Sequence, residues 1–214
     1  MLPLATVEVR NPKVPPALTP GKVTPEILYR WERSCKEHFR AENVAEEEKV
    51  KSVLFRLQDL RIGCWVDDNE TTLKALDFAT FMNKLREEVL RKGWDREIKL
   101  AIQRSRQGER PFYQWAYEMR ARNALLRGRP CHFSDEALRE VLEINMDEDL
   151  ELRMRRVAAG EVSLWEWIEA VKEEEFVTRR REAAAMAMAR EIYGREQRGV
   201  KSSGSGRAMG KRVQ

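Results

Sequence analysis

The sequence predicts an all-α protein whose helices form two lobes. Apolar residues recur at intervals of three and four along most of the chain, which is the spacing of the buried face of an amphipathic helix. A sustained alternation of apolar and polar residues, typical of a half-buried strand, does not occur. Glycine and proline fall largely between the periodic segments, where they separate one helix from the next. We therefore expect roughly nine helices, with the two lobes joined near Gly108.

Composition excludes several classes of protein. A chain of 214 residues can bury a sizeable core in one domain or in two small ones. Charged residues amount to 36% but nearly cancel to a net charge of +4, so basic character matters only where it is concentrated. Three scattered cysteines, Cys35, Cys64 and Cys131, argue against a disulfide framework. Without a secretory signal near Met1 or a run of about 18 apolar residues, the sequence predicts a cytoplasmic protein with no membrane partner.

Residues 1–23 are predicted to be a flexible arm. Proline is dense there: Pro3, Pro12, Pro15, Pro16 and Pro20. Proline removes a backbone donor and opposes helix, which favours an extended segment. Order is expected to begin at Thr24, whose side chain can cap a first turn that has Pro25 at its first position and Glu26 at its positive end.

Residues 24–107 are predicted to form the N-terminal lobe. Its helices are indicated by apolar residues at helical spacing: Ile27, Leu28, Trp31, Cys35 and Phe39; Val50, Val53, Leu54 and Leu57; Phe78, Phe81, Met82, Leu85 and Val89; and Ile98, Ala101 and Ile102. The last of these helices is expected to run from Asp95 to Gln107, because Gly108 and Pro111 end it.

The C-terminal lobe, residues 108–181, is predicted to begin with an aromatic helix that runs from residue 112 to residue 126. Phe112, Trp115 and Met119 share one face of this helix, as core residues do. The interleaved aromatic and arginine residues of this stretch could instead stack on bases and contact phosphates. The shared face favours the core interpretation. Later helices are expected to start at Ser134 and at a capping box formed by Ser163 and Glu166.

Residues suited to catalysis or metal binding are few. Histidine occurs only at His38 and His132. The neighbouring Cys131 and His132 do not by themselves place a thiolate beside a base, and Cys35 with His38 supplies only two of the ligands that zinc requires. No glycine-rich phosphate loop is present. The sequence therefore predicts no enzyme, no cofactor and no metal site.

Charged runs separate into two kinds. The acidic runs 46–48 and 173–175 are predicted to be solvated helix faces, because consecutive residues on a helix point in different directions. From Gly194 onwards, beyond a helical extension that begins at residue 182, glycine and serine accompany six basic residues and the single acid Glu196. The basic residues are Arg195, Arg198, Lys201, Arg207, Lys211 and Arg212. This segment is predicted to be a flexible tail that holds single-stranded RNA through its phosphates, without sequence preference; a solvated linker is the alternative.

The stretch "QGERPFYQWAYEM", Gln107 to Met119 and here called the homology-like segment, resembles the major homology region of retroviral and retrotransposon Gag capsid proteins. In that region a Gln-Gly turn is followed by Pro-Phe and by a helix that carries an aromatic residue. The matching residues are Gln107, Gly108, Pro111, Phe112 and Trp115. This chain is one residue shorter between the glycine and the proline. The resemblance implies a tight turn in which Gln107 makes buried hydrogen bonds to backbone rather than contacts with a ligand.

The resemblance extends over roughly Thr24 to Phe176. "LYRWERSCKEHF" and "FATFMNKLREEV" are similar to the amino-terminal lobe of gypsy-like retrotransposon Gag capsids, and "SLWEWIEAVKEEE" is similar to the closing helix of their other lobe. The resemblance implies a two-lobed capsid protein that self-assembles around an element's RNA, so that its partners are copies of itself and RNA. The Cys-x2-Cys-x4-His-x4-Cys spacing of a Gag zinc knuckle does not occur after Cys131. An adopted capsid domain that binds a peptide or a partner protein as a monomer or dimer is the alternative.

Overall fold

The computed structural model describes residues 3–11, 13–157 and 162–203, with the side chains of 155–157 and 193–203 left out. The described residues have the predicted all-α class, with nine helices and one two-stranded sheet. The strands are β1 (Val7–Glu8) and β2 (Ala17–Leu18). The helices are α1 (Pro25–Ala41), α2 (Glu46–Leu54), α3 (Leu60–Lys74), α4 (Phe78–Val89), α5 (Trp94–Arg104), α6 (Phe112–Leu125), α7 (Asp135–Asn145), α8 (Glu148–Val157) and α9 (Leu164–Ser203). None of them combines the length and the apolar character needed to cross a membrane.

The proline-rich N-terminal segment is a hairpin, so the prediction of a flexible arm was wrong. β1 and β2 pair antiparallel, with Val7 opposite Leu18. Leu18 is fully buried, donates to the Arg56 carbonyl at 2.8 Å and accepts from the Gln58 amide at 2.9 Å. Proline removes a backbone donor but keeps its carbonyl acceptor. The Trp31 indole nitrogen uses this acceptor, donating to the carbonyl of Pro16 at 3.0 Å.

Gly21 attaches the end of this hairpin to the start of α3. Its φ of +140° lies in the region that favours glycine, and an added Cβ would come within 2.6 Å of the Pro3 carbonyl oxygen. The Gly21 amide donates to the Asp59 carboxylate at 3.2 Å, and the same carboxylate caps α3 by accepting from the Arg61 amide at 3.0 Å. One acidic side chain therefore holds both the hairpin and a helix N-terminus.

The chain forms two compact units, Met1–Gln103 with Ala121–His132, and Arg104–Arg120 with Phe133–Gln214. The predicted boundary at residues 107 and 108 is thus displaced to 103 and 104, and the chain returns to the first unit for residues 121–132. This return is held by Arg129, whose guanidinium lies 3.4 Å from the Asp95 carboxylate and 3.7 Å from Glu87. Because these partners are distant in sequence, periodicity did not reveal the return.

The first unit is built around a core from α1, α2, α4 and α5. Eight residues of these helices have no solvent exposure: Trp31, Cys35, Val50, Val53, Phe81, Met82, Leu85 and Ile102. The rings of Phe39 and Phe78 meet edge to face with centroids 4.9 Å apart. Arg86 pairs with Glu32 across α4 and α1, and both side chains are largely buried. The predicted start of α1 is confirmed, since the Thr24 hydroxyl accepts from the Ile27 amide at 3.4 Å.

The second unit buries the predicted face of α6 against α9. Phe112, Trp115 and Met119 have no solvent exposure, which confirms that they are core residues. The Phe112 ring meets the Trp167 ring edge to face at 5.6 Å. The predicted helix starts are also confirmed. Ser134 caps α7 through the Ala137 amide at 3.2 Å, and the Ser163 and Glu166 side chains each accept the other's backbone N–H, at 3.3 and 2.9 Å.

Helix α9 continues further than predicted. Its backbone is helical from Leu164 to Ser203, whereas the sequence predicted a flexible tail from Gly194. A glycine inside a helix costs about 1 kcal/mol relative to alanine, and the arginine, glutamate and glutamine residues around Gly194 are good helix formers that offset this cost. Residues 204–214, which include the rest of the predicted tail, lie outside the described residues.

Candidate functional site

The homology-like segment begins with the predicted tight turn. Gly108 has a φ of +58°, in the left-handed region where glycine has no side-chain penalty. The Arg110 amide donates to the Gln107 carbonyl at 3.4 Å, which closes the turn. Gln107 is only 3% exposed although it is polar. A buried amide of this kind requires partners on both its oxygen and its nitrogen.

The Gln107 side chain finds those partners in the backbone, as predicted. Its Oε1 accepts from the Asp147 amide at 3.0 Å, and its Nε2 donates to the Arg110 carbonyl at 3.1 Å. The Gln107 main-chain amide donates to the Asn145 carbonyl at 3.0 Å. Gln107 therefore joins the turn before α6 to the connection between α7 and α8.

Glu175 completes this network from α9. Its carboxylate accepts from the Phe112 amide at 2.9 and 3.1 Å and from Gln107 Nε2 at 3.1 Å. The Arg179 guanidinium donates to the same carboxylate at 2.9 Å. The first amides of a helix have no partner within the helix, and a carboxylate is favoured at the positive helix end. Glu175 is thus the N-terminal cap of α6.

Sequence reasoning missed Glu175 by treating residues 173–175 as one solvated face. The side chain of Glu175 is only 13% exposed. A signal was available, because Ile168 and Val171 are predicted core positions on α9. Glu175 follows them at intervals of three and four and so lies on the same face.

Further residues of the homology-like segment are structural as well. Pro111 precedes α6 and its carbonyl accepts from the Trp115 amide at 3.2 Å. The buried Trp115 indole donates to the Ser105 hydroxyl at 2.9 Å. The Arg110 guanidinium pairs with the Glu118 carboxylate at 2.8 Å. The five matching residues are therefore brought together as a scaffold around the start of α6.

A different face of α6 joins α9 in an exposed aromatic surface, formed by Tyr113, Tyr117, Arg120, Trp165 and Lys172. The ring centroids of Tyr113 and Tyr117 are 4.4 Å apart, and Trp165 meets Tyr117 edge to face at 5.4 Å. Arg120 lies over the Trp165 ring at 4.9 Å, and Lys172 over the Tyr113 ring at 4.4 Å. Trp165 is 40% exposed and Tyr117 is 37% exposed. The sequence pattern did not single out this surface, since half of it comes from another helix.

The composition of the aromatic surface favours a protein partner over a nucleic acid. Tryptophan, tyrosine and arginine are the residues that most often dominate binding energy in protein interfaces. Single-stranded nucleic acid also stacks on aromatic rings, but it requires excess positive charge near them. Here Lys172 is paired with Glu169 at 2.8 Å, which lowers its attraction for phosphate. The hydrogen bond with Tyr113 raises the pKa of Tyr117.

The cysteine and histidine pairs lie in the first unit. The Cys35 thiol is buried, and burial, followed by the charge of Glu32, raises its pKa. Burial and then Asp95 raise the pKa of Cys131, so both thiols are held in the neutral form, which is a poor nucleophile. The ring of His132 lies 3.4 Å from the side-chain amide of Asn123. In the part of the chain that the structure describes, no three His, Cys, Asp or Glu side chains are grouped to hold a metal ion.

Of the six basic residues predicted to bind RNA, Arg195, Arg198 and Lys201 lie on the last three turns of α9, where the structure gives the backbone only. Arg207, Lys211 and Arg212 lie outside the described residues. The RNA role of all six stays a prediction. Comparisons of the chain with models of protein families, with curated proteins and with solved structures found no match.

Proposed function

We propose that this chain is a Gag-type structural protein that assembles with copies of itself and packages RNA. The observation that carries the proposal is that α6 has two different faces, one buried in a scaffold and one exposed. Gln107 and Phe112 of the homology-like segment form a buried scaffold with Glu175, while Tyr117 on α6 is exposed beside Trp165. A scaffold that fixes an exposed aromatic surface suits a protein whose role is to make contacts with other chains.

The scaffold gives that surface a defined shape. Glu175 on α9 caps α6, so the two helices that carry Tyr117 and Trp165 are joined at a buried, charge-assisted hydrogen bond. Side chains held in one arrangement lose less conformational entropy when they enter an interface. Repeated use of one such contact is what a closed assembly of identical chains requires.

RNA packaging in this proposal depends on the basic residues that begin with Arg195. Within α1 and α2, by contrast, lysines and arginines lie beside acids, as in the pairs of Lys36 with Glu32 and of Lys51 with Glu48. Paired charges of this kind release few counterions when nucleic acid binds. The basic C-terminal segment is therefore the favoured RNA contact.

Negative-stain microscopy of nuclease-treated protein, with and without added single-stranded RNA, tests the proposal. Regular closed particles are expected with RNA. We expect Trp165→Ala to reduce particle formation, because it removes the exposed centre of the aromatic surface. Phe55→Ala is the matched control, since Phe55 is 77% exposed and lies in the first unit. Particles that form equally well with both variants would remove the aromatic surface from the proposal, and a protein that stays monomeric with RNA would overturn it.

A capsid domain that acts as a monomeric or dimeric binding module is the second candidate. The aromatic surface also favours this function, because an exposed tryptophan flanked by tyrosine and arginine can anchor a peptide as well as another copy of the chain. Light scattering across a range of protein concentrations separates the two candidates. A constant small mass with and without RNA supports the binding module, whereas growth to large particles supports assembly.

A further inference from the structure

The last part of α9 whose side chains are described makes an unusual surface for a helix in water. Every residue from Arg179 to Ile192 is exposed. Within this stretch, residues 183–189 form the continuous apolar run "AAAMAMA". The exposed fractions of Met186, Met188 and Ile192 are 64%, 66% and 58%. A helix that is apolar over two full turns is normally buried, and a helix without packing partners is marginal in water.

One face of this stretch has the pattern of a helix–helix contact. Ala184, Ala185, Met188 and Ile192 follow one another at intervals of one, three and four residues, so they lie along one side of α9. Arg181, three residues before Ala184, continues the same side. The two alanines allow a second helix to approach closely, and Met188 and Ile192 supply the apolar area that such an approach would bury.

The charges that flank the apolar run indicate which helix fits. The sequence "REAAAMAMARE" has Arg181 and Glu182 before the run and Arg190 and Glu191 after it. In an antiparallel pair of identical helices whose two-fold axis passes at the level of Met186, Arg181 stands level with Glu191 of the other copy, and the two-fold axis repeats this pair at the other end of the contact. In a parallel pair each of these charges would stand level with its own like charge. A second copy in antiparallel orientation is therefore complementary in charge.

The same arrangement is complementary in shape. An antiparallel pair centred on Met186 sets Ala184 of one copy level with Met188 of the other, on the same side of the contact. A small residue then faces a large one at both ends of the pair, as interdigitated packing requires. Antiparallel helices also bring opposite ends of their dipoles together.

We propose that residues 181–192 of α9 are a homodimerisation helix, which pairs antiparallel with the same helix of a second copy through Ala184, Ala185, Met188 and Ile192. The inference rests on the proposed function in that it names one of the contacts by which the chain self-assembles. Two separate contacts on one chain, this two-fold pair and the aromatic surface, would allow growth beyond a dimer.

Sedimentation equilibrium of nuclease-treated, RNA-free protein tests the pairing. Met188→Glu places a charge at the centre of the proposed contact, and we expect it to raise the dimer dissociation constant roughly tenfold or more. Met186→Glu is the matched control. Met186 has nearly the same exposure, but it lies two residues away and hence about 160° around the helix. Equal effects of the two substitutions, or a wild-type protein that is monomeric at every concentration, would overturn the proposal.

The orientation has its own test. Arg181→Glu should weaken an antiparallel dimer, because it faces Glu191 of the other copy, and the further change Glu191→Arg should restore the affinity. In a parallel pair neither change alters the number of like-charge contacts, so an unaffected dimer would contradict the antiparallel arrangement. Dimers without particles in the microscopy experiment would sink the proposed capsid function but not the helix pair. Particles that form unchanged with Met188→Glu would contradict the helix pair but not the proposed capsid function.

Discussion

At the scale of single residues, the carboxylate of Glu175 holds the homology-like segment from a position more than 60 residues further along the chain, through its bonds with Gln107 and Phe112. We expect Glu175→Gln to destabilise the second unit by about 1–3 kcal/mol, because a neutral amide replaces a charged acceptor of buried donors. Chemical denaturation followed by tryptophan fluorescence measures the loss. Glu173→Gln, an exposed change on the same helix, is the control. Equal stability of the two variants would show that the cap contributes little.

Asp59 gives the first unit a dependence on acidic pH. The side-chain hydrogen bond from Arg61, followed by the amide of Gly21, lowers the pKa of Asp59 to about 2 from an ordinary 3.8. Because the folded state has the lower pKa, the stabilisation is fully present above about pH 4 and is lost as the pH falls towards 2. The pKa shift corresponds to on the order of 1–2 kcal/mol, after allowance for the exposure of Arg61 to solvent.

The corresponding substitution is Asp59→Asn. In urea denaturation at several pH values, Asp59→Asn should be less stable than the wild type above pH 4. The difference in stability between the two proteins should be smaller near pH 2. Asp68→Asn, an exposed change on α3, provides the comparison. A difference between Asp59→Asn and wild type that does not shrink at low pH would assign the effect to geometry rather than to charge.

At the scale of elements, a substitution in α6 distinguishes a core role of the aromatic stretch from a role in RNA binding. Trp115 has no solvent exposure and its indole nitrogen is bonded to Ser105. Trp115→Ala should therefore cost roughly 3 to 5 kcal/mol of stability, as large-to-small changes in cores do. Thermal melting measures this cost. If the variant melted like the parent but bound RNA less tightly, the stacking interpretation would replace the core interpretation.

The elements also show what could be predicted from the sequence. Helix starts at Thr24, Ser134 and Ser163 were predicted correctly, because a cap and its amide lie within three residues of each other. The hairpin could not be predicted, since its strands are short and its partners, such as Arg56 and Gln58, are provided by a distant loop. Local rules recover helices and caps, whereas contacts between distant segments depend on packing that periodicity does not contain.

The candidate site likewise has features that could be predicted from the sequence and features that could not. The turn at Gly108 and the core role of Phe112 were predicted, because a glycine after a helix and an apolar stripe are local signals. The exposed aromatic surface was not predicted, because Tyr117 and Trp165 become neighbours only when α6 packs against α9. Interaction surfaces assembled from two helices leave no continuous pattern in either one.

At the scale of the whole molecule, the basic C-terminal segment is predicted to carry most of the RNA affinity. Counterion release at six phosphates would give a slope of log K against log salt of roughly −4. Truncation after Tyr193 should remove most of the affinity and most of this salt dependence while leaving the melting temperature unchanged, because the buried residues described in the second unit all precede Tyr193. Fluorescence anisotropy with a short single-stranded RNA at several salt concentrations measures both quantities.

A full-length variant with the six basic residues replaced by glutamine is the control for chain length. It should behave like the truncated protein. Unchanged RNA affinity in the truncated protein would place the binding site within residues 1–193. A glutamine variant that binds RNA as tightly as the wild type would leave the basic segment as a solvated linker.

The return of residues 121–132 to the first unit has a consequence for how the protein is made. Neither compact unit is a continuous piece of chain, since Arg104–Arg120 of the second unit is synthesised before Ala121–His132 of the first. During translation the first unit therefore cannot be completed until residues 121–132 have left the ribosome. A single proteolytic cut therefore cannot separate the two units from each other, and a gene fragment that ends at residue 103 encodes a first unit without its closing segment.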